Sequence, residues 1–114
     1  MHLALLKFAI AHTAKFLINM NGEITDMFRL WAKEFKDNRM LRDIVIEDDT
    51  SETRTHKVYN ALDKVCYAFD LGKPIWLDKT SMEFNRHDKA RFTQDNFIEP
   101  IEFDYLEIHV IEED

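Results

Sequence analysis

The chain of 114 residues contains only one cysteine, two glycines and two prolines. A single cysteine, Cys66, excludes an intrachain disulfide and any zinc or iron–sulfur site made of several cysteines, and it is typical of a reducing compartment. Because glycine occurs only at positions 22 and 72, the sequence has no Gly-rich phosphate-binding loop and no Gly-x-Ser-x-Gly elbow. The commonest nucleotide-binding loops and serine-hydrolase sites are therefore excluded.

Positive charge is also scarce. The 15 Lys and Arg residues are outnumbered by 22 Asp and Glu residues, and the formal net charge is −7. This balance opposes binding to nucleic acid and to anionic membranes, because Lys and Arg supply most of the affinity for phosphate groups. Long apolar runs are absent too: Lys7, His12 and Lys15 interrupt the stretch of residues 2–20, and each central Lys costs about 2.5–3.5 kcal/mol on membrane insertion. We expect a cytoplasmic protein without a transmembrane span.

What is present is a large apolar fraction, 46% of the residues with nine phenylalanines, in a chain of the size of one domain. We expect residues 27–114 to form a single α+β domain. Residues 1–26 are predicted to be an amphipathic helix or an extension, and a membrane anchor is a further interpretation. The helical prediction rests on apolar residues at spacings of three and four, followed by Asn21-Gly22 as a stop: Leu3, Leu6, Ile10, Ala14 and Leu17.

The segment after Met27 is predicted to be a β-hairpin. Phe28, Leu30 and Ala32 alternate with polar or amphipathic residues, as in a half-buried strand. Asp37-Asn38 tolerates positive φ and suits a tight turn. The return strand runs from Met40 to Glu47, with Met40, Ile44 and Ile46 expected on one face. A helix over residues 27–35 is the competing interpretation, since one helical face would contain Met27, Leu30, Trp31 and Phe35.

The sequence predicts one main helix, from about Ser51 to Leu71. Asp49 is the expected N-cap with Glu52 completing a capping box, and Gly72 is expected to end the helix in the left-handed conformation. The buried stripe has residues at spacings of three and four: Val58, Ala61, Leu62, Val65, Cys66 and Phe69. Cys66 is therefore expected to be a small buried apolar residue and not a nucleophile.

Four further elements follow the main helix. We predict a short strand at 75–77, a turn of helix at 80–86, an ordered loop at 87–97 and a long strand at 103–112, with Leu106, Ile108 and Val110 facing inward. The expected fold is a two-layer α+β domain of order ββαββ. Its main helix packs on an antiparallel or mixed sheet of about four strands, and an N-terminal helix is added.

Several segments resemble a family of small uncharacterised proteins of anaerobic Gram-positive bacteria. They are RLWAKEFKDNRML at 29–41, RTHKVYNALDKVCYAFDLGKPIWLD at 54–78, HDKARFTQDNF at 87–97 and FDYLEIHVIEED at 103–114. The resemblance covers Met27 to Asp114. It implies a cytoplasmic protein that begins near Met27, so that residues 1–26 depart from the pattern, and it contributes no activity and no catalytic residue.

The most concentrated polar chemistry lies in residues 84–97. Basic side chains there stand between Phe84, Phe92 and Phe97, an arrangement that suits an anion, an acidic protein surface or, through aromatic stacking, a single strand of nucleic acid. The alternative is a solvated loop that the three phenylalanines fix to the core. The candidate binding residues are Arg86, His87, Lys89, Arg91, Gln94 and Asp95.

No metal site, cofactor or catalytic residue is predicted. The five histidines are scattered and form no HExxH pair, and the acidic run at 47–49 lacks the spacing of a calcium loop. Trp31 and Trp76 mark contact surfaces if they lie on an outer face, and core residues if they do not. The sequence favours a non-enzymatic interaction module that binds another protein or itself. The alternatives are a small-molecule or anion binder or enzyme that uses the Arg86–Asp95 loop, and a nucleic-acid-associated protein.

Overall fold

The structure is a computed structural model that describes residues 16–18 and 24–112, with side chains from residue 27 to residue 111. The described part is α+β. Its first elements are two short antiparallel strands, β1 (Phe16–Ile18) and β2 (Ile24–Asp26). The predicted N-terminal helix lies mostly outside the described residues, and where the two overlap, at Phe16–Ile18, the chain is a strand.

The predicted hairpin is confirmed, and the helical alternative for residues 27–35 is wrong. Strand β3 (Phe28–Lys36) pairs antiparallel with β4 (Arg39–Asp48) across a two-residue turn. Asp37 and Asn38 both have positive φ, 52° and 64°, as this turn requires.

The predicted face of one residue in the return strand is wrong. An extra residue in β4 shifts the register, so that Met40 pairs with Phe35 while Arg42 pairs with Glu34. Met40 therefore does not share the face of Ile44 and Ile46.

Strand β6 (Tyr105–Glu112) is the predicted C-terminal strand, and Leu106, Ile108 and Val110 face the core as expected. It lies between β3 and the four-residue strand β5 (Lys89–Phe92), which gives an antiparallel sheet of order β4-β3-β6-β5. The predicted loop at 87–97 is wrong. Ala90 and Phe92 alternate with polar residues over one short strand, and a 3-10 helix (Gln94–Asn96) follows.

Helix α1 (Arg54–Phe69) is the predicted main helix, with its stripe buried, but both predicted caps are wrong. The N-cap is Thr53, whose hydroxyl accepts a hydrogen bond from the backbone N–H of His56 at 3.2 Å. The left-handed residue at the C-terminus is Asp70, with φ of 55°, instead of Gly72. Asp, Ser and Thr all suit an N-cap, and several of them precede α1 in succession. Asp also tolerates the left-handed conformation, so Asp70 and Gly72 are both candidates for the end of the helix.

Helix α2 (Asp78–His87) is longer than the predicted turn of helix, and residues 75–77 do not form the predicted strand. The backbone of Ile75 bonds to Asn96 instead of to a neighbouring strand. The fold is therefore not ββαββ: two successive helices separate the two pairs of strands.

Both helices pack on one face of the sheet. The core between the layers contains the inward residues of all four strands together with the α1 stripe, Phe84, Phe97 and Phe103. The opposite, outer face presents the alternate residues of β3 and β6, among them Trp31, Lys33 and Glu107. Of the helices in the described residues, neither has the length and apolarity to cross a membrane.

Candidate functional site

The six predicted binding residues lie in three different elements and do not all converge on one site. Lys89 and Arg91 belong to β5 and pair with His109 and Glu107 on the outer face of the sheet. Arg86 and His87 lie at the end of α2, and Gln94 and Asp95 lie in the 3-10 helix.

Arg91 is held by its own chain. Its guanidinium lies 3.1 Å from the Glu107 carboxylate and 4.5 Å from the centre of the Tyr105 ring, and its backbone N–H donates to Glu83 at 3.2 Å. The hydrogen bond to Glu107 is the first cause that raises the pKa of Arg91. These partners direct the side chain along the sheet.

Glu107 joins Arg91 to Lys33 in an ionic network on the outer face. The Lys33 ammonium lies 2.9 Å from the Glu107 carboxylate, whose side chain is 8% exposed. Burial raises the pKa of Glu107, but the hydrogen bonds and charges of Lys33 and Arg91 outweigh it, so that the pKa lies below its usual value. The neighbouring His109 has a lowered pKa because of burial and of the Lys33 and Lys89 charges.

Gln94 and Asp95 are occupied by local contacts. The Gln94 side chain donates to the Glu99 carbonyl at 2.9 Å and accepts from the Ile101 N–H at 2.9 Å, which fixes the 99–101 loop. The Asp95 carboxylate lies 3.8 Å from the Lys79 ammonium, with both side chains exposed. Gln94 therefore has a structural role that the sequence pattern does not indicate.

Arg86 and His87 are brought together. They line one open depression of about 280 Å³ on the outer side of α2, with Lys79, Met82 and Glu83. Two of the predicted residues therefore share this concave surface.

A more aromatic concavity lies between the two helices. This interhelical groove has a volume of about 190 Å³ and is open to solvent. Its lining combines aromatic and polar side chains from both helices and from the segment between them: Arg54, Thr55, Val58, Tyr59, Trp76, Ser81, Phe84 and Asn85.

Trp76 is the centre of the aromatic contacts in the groove. Its ring meets Tyr59, Phe84 and Phe92 edge to face, with centroid distances of 6.0, 5.7 and 5.0 Å. Phe84 and Phe92 are buried, whereas Tyr59 is 48% exposed. The base of the groove is therefore made of packed aromatic rings, and one aromatic side chain reaches into solvent.

A buried amide holds Trp76 in place. The Asn96 side chain, 1% exposed, donates to the Ile75 carbonyl at 2.8 Å and to the Thr80 hydroxyl at 3.0 Å, and accepts from the Thr93 N–H at 2.9 Å. The Ile75 N–H in turn donates to the Asn96 carbonyl at 2.6 Å. One residue thus joins the segment before Trp76, the start of α2 and the 3-10 helix.

Arg54 closes one end of the groove. Its guanidinium lies 5.0 Å from the centre of the Phe84 ring and 2.7 Å from the carboxylate of Asp88, the left-handed residue that ends α2. The N-terminus of α1 is thereby connected to the C-terminus of α2. Neither Arg54 nor Tyr59 is among the candidate residues from the sequence, and only the position of α2 beside α1 places them in a concave site.

Two further observations bear on chemistry. Cys66 is buried, and burial, followed by the Asp63 charge, raises the pKa of its thiol to about 11. A thiol with that pKa is almost wholly protonated near neutral pH. Among the residues that the structure describes, no three His, Cys, Asp or Glu side chains lie close enough together to hold a metal ion.

Comparison of the chain with models of known protein families, with curated proteins and with solved structures finds no match. Any function assigned to this chain therefore rests on the geometry of its described residues.

Proposed function

We propose that this chain is a cytoplasmic, non-enzymatic protein-interaction module whose contact surface is the interhelical groove. The observation that supports the proposal best is the half-exposed Tyr59 beside the fixed Trp76 in a concave surface. Tyrosine and tryptophan are enriched at the centres of protein interfaces, because each has a large apolar ring with a polar group at its edge.

The size of the groove favours a protein partner over a small molecule. Its volume of about 190 Å³ is smaller than the roughly 300–1,000 Å³ of pockets that enclose drug-sized ligands. A single anchoring side chain of a partner protein needs less room. The polar groups at the rim, from Thr55, Ser81 and Asn85, are suited to hydrogen bonds with the partner's backbone.

One further apolar side chain adds to the uncovered surface next to Trp76. Ile75, the preceding residue in the chain, is 45% exposed.

Site-specific photocrosslinking tests the proposal. A photoreactive phenylalanine analogue at position 59 is expected to form a covalent adduct with one partner in a lysate of the native host. The matched control has the analogue at position 67, where the native tyrosine is 90% exposed but outside the groove. Absence of an adduct from position 59, or equal adducts from both positions, would contradict the groove as the contact surface.

Anion binding is a second candidate, which the depression on α2 favours. Lys79, Arg86 and His87 line it together, so a phosphate or carboxylate group placed there meets several donors. Titration with inorganic phosphate, followed by the NMR signals of residues 79–87, tests this candidate. The variant Arg86→Gln should abolish shifts that the wild type shows, and unchanged wild-type signals would dismiss it.

Nucleic-acid binding is the weakest alternative. The net charge of −7 opposes it, and Arg91 of the basic segment is already bound to Glu107. Unchanged mobility of DNA and RNA probes at low salt would dismiss it.

A further inference from the structure

The strand β4 lies at an edge of the sheet. Among the described residues it pairs with β3 only, over ten residues from Arg39 to Asp48. In an antiparallel sheet, alternate residues of an edge strand direct their N–H and C=O groups away from the sheet. Such a row of backbone groups is a template for a further strand.

The regular part of this edge is symmetric about one residue. The irregularity that follows Met40 ends where Arg42 pairs with Glu34, and from Arg42 to Asp48 the pairing with β3 has no further interruption. The central residue of this stretch is Val45, flanked by Ile44 and Ile46. Both isoleucines contact the core yet are only partly buried, so the edge leaves apolar surface uncovered.

We propose that β4 pairs antiparallel with β4 of a second copy of this chain, with Val45 on the two-fold axis. The axis is perpendicular to the sheet, which keeps the helices of both copies on the same side and joins the two sheets into one of eight strands. In this register each Ile44 lies opposite Ile46 of the second copy, on the core side. The interface is isologous and closes as a dimer.

The charges of β4 are complementary in this register. Arg42 lies opposite Asp48 of the second copy, and the symmetry produces this pair twice. The Arg42 guanidinium donates to Glu34 through Nε and Nη2 and to the Phe69 carbonyl through Nη2. Its side chain is 45% exposed, and its Nη1 group remains for another carboxylate. The pKa of Asp48 is lowered: burial raises it, but a hydrogen bond from Thr50 and the charge of Lys57 outweigh that effect.

In the same register, Asp43 of one copy faces Glu47 of the second copy, so two acidic residues lie opposite each other. Each has a partner within its own sheet: the Trp31 indole N–H donates to Asp43 at 2.8 Å, and Arg29 donates to Glu47 at 2.7 Å. These donors reduce the repulsion between the two carboxylates across the dimer. The register is therefore compatible with every side chain from Arg42 to Asp48.

Sedimentation equilibrium and disulfide trapping test the dimer. The wild type is expected to have the mass of a dimer at high concentration, and Val45→Lys is expected to raise the dissociation constant at least about tenfold, about 1.4 kcal/mol. The control Val45→Thr keeps the β-branch and the dimer. Val45→Cys is expected to form an intermolecular disulfide on oxidation, because residue 45 lies on the two-fold axis and faces residue 45 of the second copy. Leu41→Cys, at an exposed position outside the regular stretch, is the control and is not expected to form one.

A wild type that is monomeric at all concentrations overturns the proposal. So does a dimer that persists in Val45→Lys, or one in which Leu41→Cys crosslinks as readily as Val45→Cys. Circular dichroism of Val45→Lys distinguishes loss of pairing from loss of fold, and a folded monomer supports the proposal. Val45 lies on the outer face, away from the interhelical groove, so failure of the dimer leaves the crosslink from position 59 unaffected.

Discussion

Replacement of Asn96 by alanine tests whether one buried amide positions the groove. The substitution removes three hydrogen bonds, to the Ile75 carbonyl, the Thr80 hydroxyl and the Thr93 N–H. Thr80 is 2% exposed, so its hydroxyl loses its partner where water has little access. Ile75 is exposed and Thr93 is partly exposed, so water can replace part of those two bonds.

These differences determine the magnitude. A buried polar group left without a partner costs about 1–3 kcal/mol, and an ordinary hydrogen bond contributes about 0.5–1.5 kcal/mol net. The Thr80 hydroxyl accounts for the first value, and the Ile75 and Thr93 groups account for the second value each, so we expect Asn96→Ala to lower the free energy of unfolding by about 2–6 kcal/mol. That loss is a large fraction of the roughly 5–15 kcal/mol typical of a whole domain.

Urea unfolding followed by circular dichroism measures the effect. With an m value of about 2 kcal/mol per molar, the middle of the usual range for urea, the midpoint should fall by about 1–3 M. Asn60→Ala, an exposed position in α1, is the matched control and should change the free energy of unfolding by less than about 0.5 kcal/mol.

A double-mutant cycle identifies the cause. If the Thr80 hydroxyl dominates the loss, Thr80→Val should reduce the further effect of Asn96→Ala, because the hydroxyl that would be left without a partner is then absent. The reasoning is refuted if Asn96→Ala costs less than about 1 kcal/mol, or if the effects of the two substitutions add.

Three further predictions concern stability. The free energy of unfolding should fall as the pH drops from neutrality through 6.5. The cause is that the folded state lowers the pKa of His109, so the unfolded chain binds the proton first. In His109→Gln this part of the pH dependence should disappear, which equilibrium unfolding at several pH values measures. Arg42→Ala should lower the free energy of unfolding in urea by about 1–3 kcal/mol, because the Glu34 carboxylate, 5% exposed, loses its two hydrogen bonds of 3.1 and 3.2 Å. Arg42 is half exposed, so the loss is smaller than for a fully buried pair. Thr53→Ala should lower the thermal midpoint by an amount that corresponds to about 1 kcal/mol, because α1 loses its N-cap.

Two of these variants have a control of the same chemistry at an exposed position. Arg39→Ala should change the free energy of unfolding in urea little, and Ser51→Ala should leave the thermal midpoint in place. A control that matches its variant in effect would show that the named contact is not the cause.

The elements that the sequence predicts correctly are those with a strong local signal. The hairpin is specified by the turn residues at 37 and 38 and by the alternation of apolar and polar residues after Phe28. Helix α1 is specified by its apolar stripe at spacings of three and four. The last strand has three inward residues in strict alternation. In each case local propensity and burial favour the same structure.

The errors arise where tertiary contacts decide. The triplet at 75–77 has the composition of a strand, but its backbone groups are taken by Asn96. Strand β5 has only four residues, and Ala90 and Phe92 are too few to establish a period without β6 beside them. The local pattern predicts that a helix begins at Thr80, whereas Thr80 lies inside α2, bonded to Asn96.

The candidate site is the part least accessible from sequence. Clustering of basic residues in 86–95 predicts a common site, but the alternation of β5 directs Lys89 and Arg91 to the outer face while Arg86 and His87 remain on α2. The groove depends on two helices lying side by side, and nothing in the local pattern of Tyr59 indicates that neighbour.

The central claim is that the chain recognises a partner protein through the interhelical groove, and the affinity of two tyrosine variants for the crosslinked partner tests it most directly. Isothermal titration of Tyr59→Ala should show a dissociation constant at least about thirtyfold weaker than that of the wild type, about 2 kcal/mol, as for a central anchor residue. Tyr67→Ala, which removes the same side chain from outside the groove, should bind like the wild type. Equal affinity of Tyr59→Ala and the wild type would contradict the account.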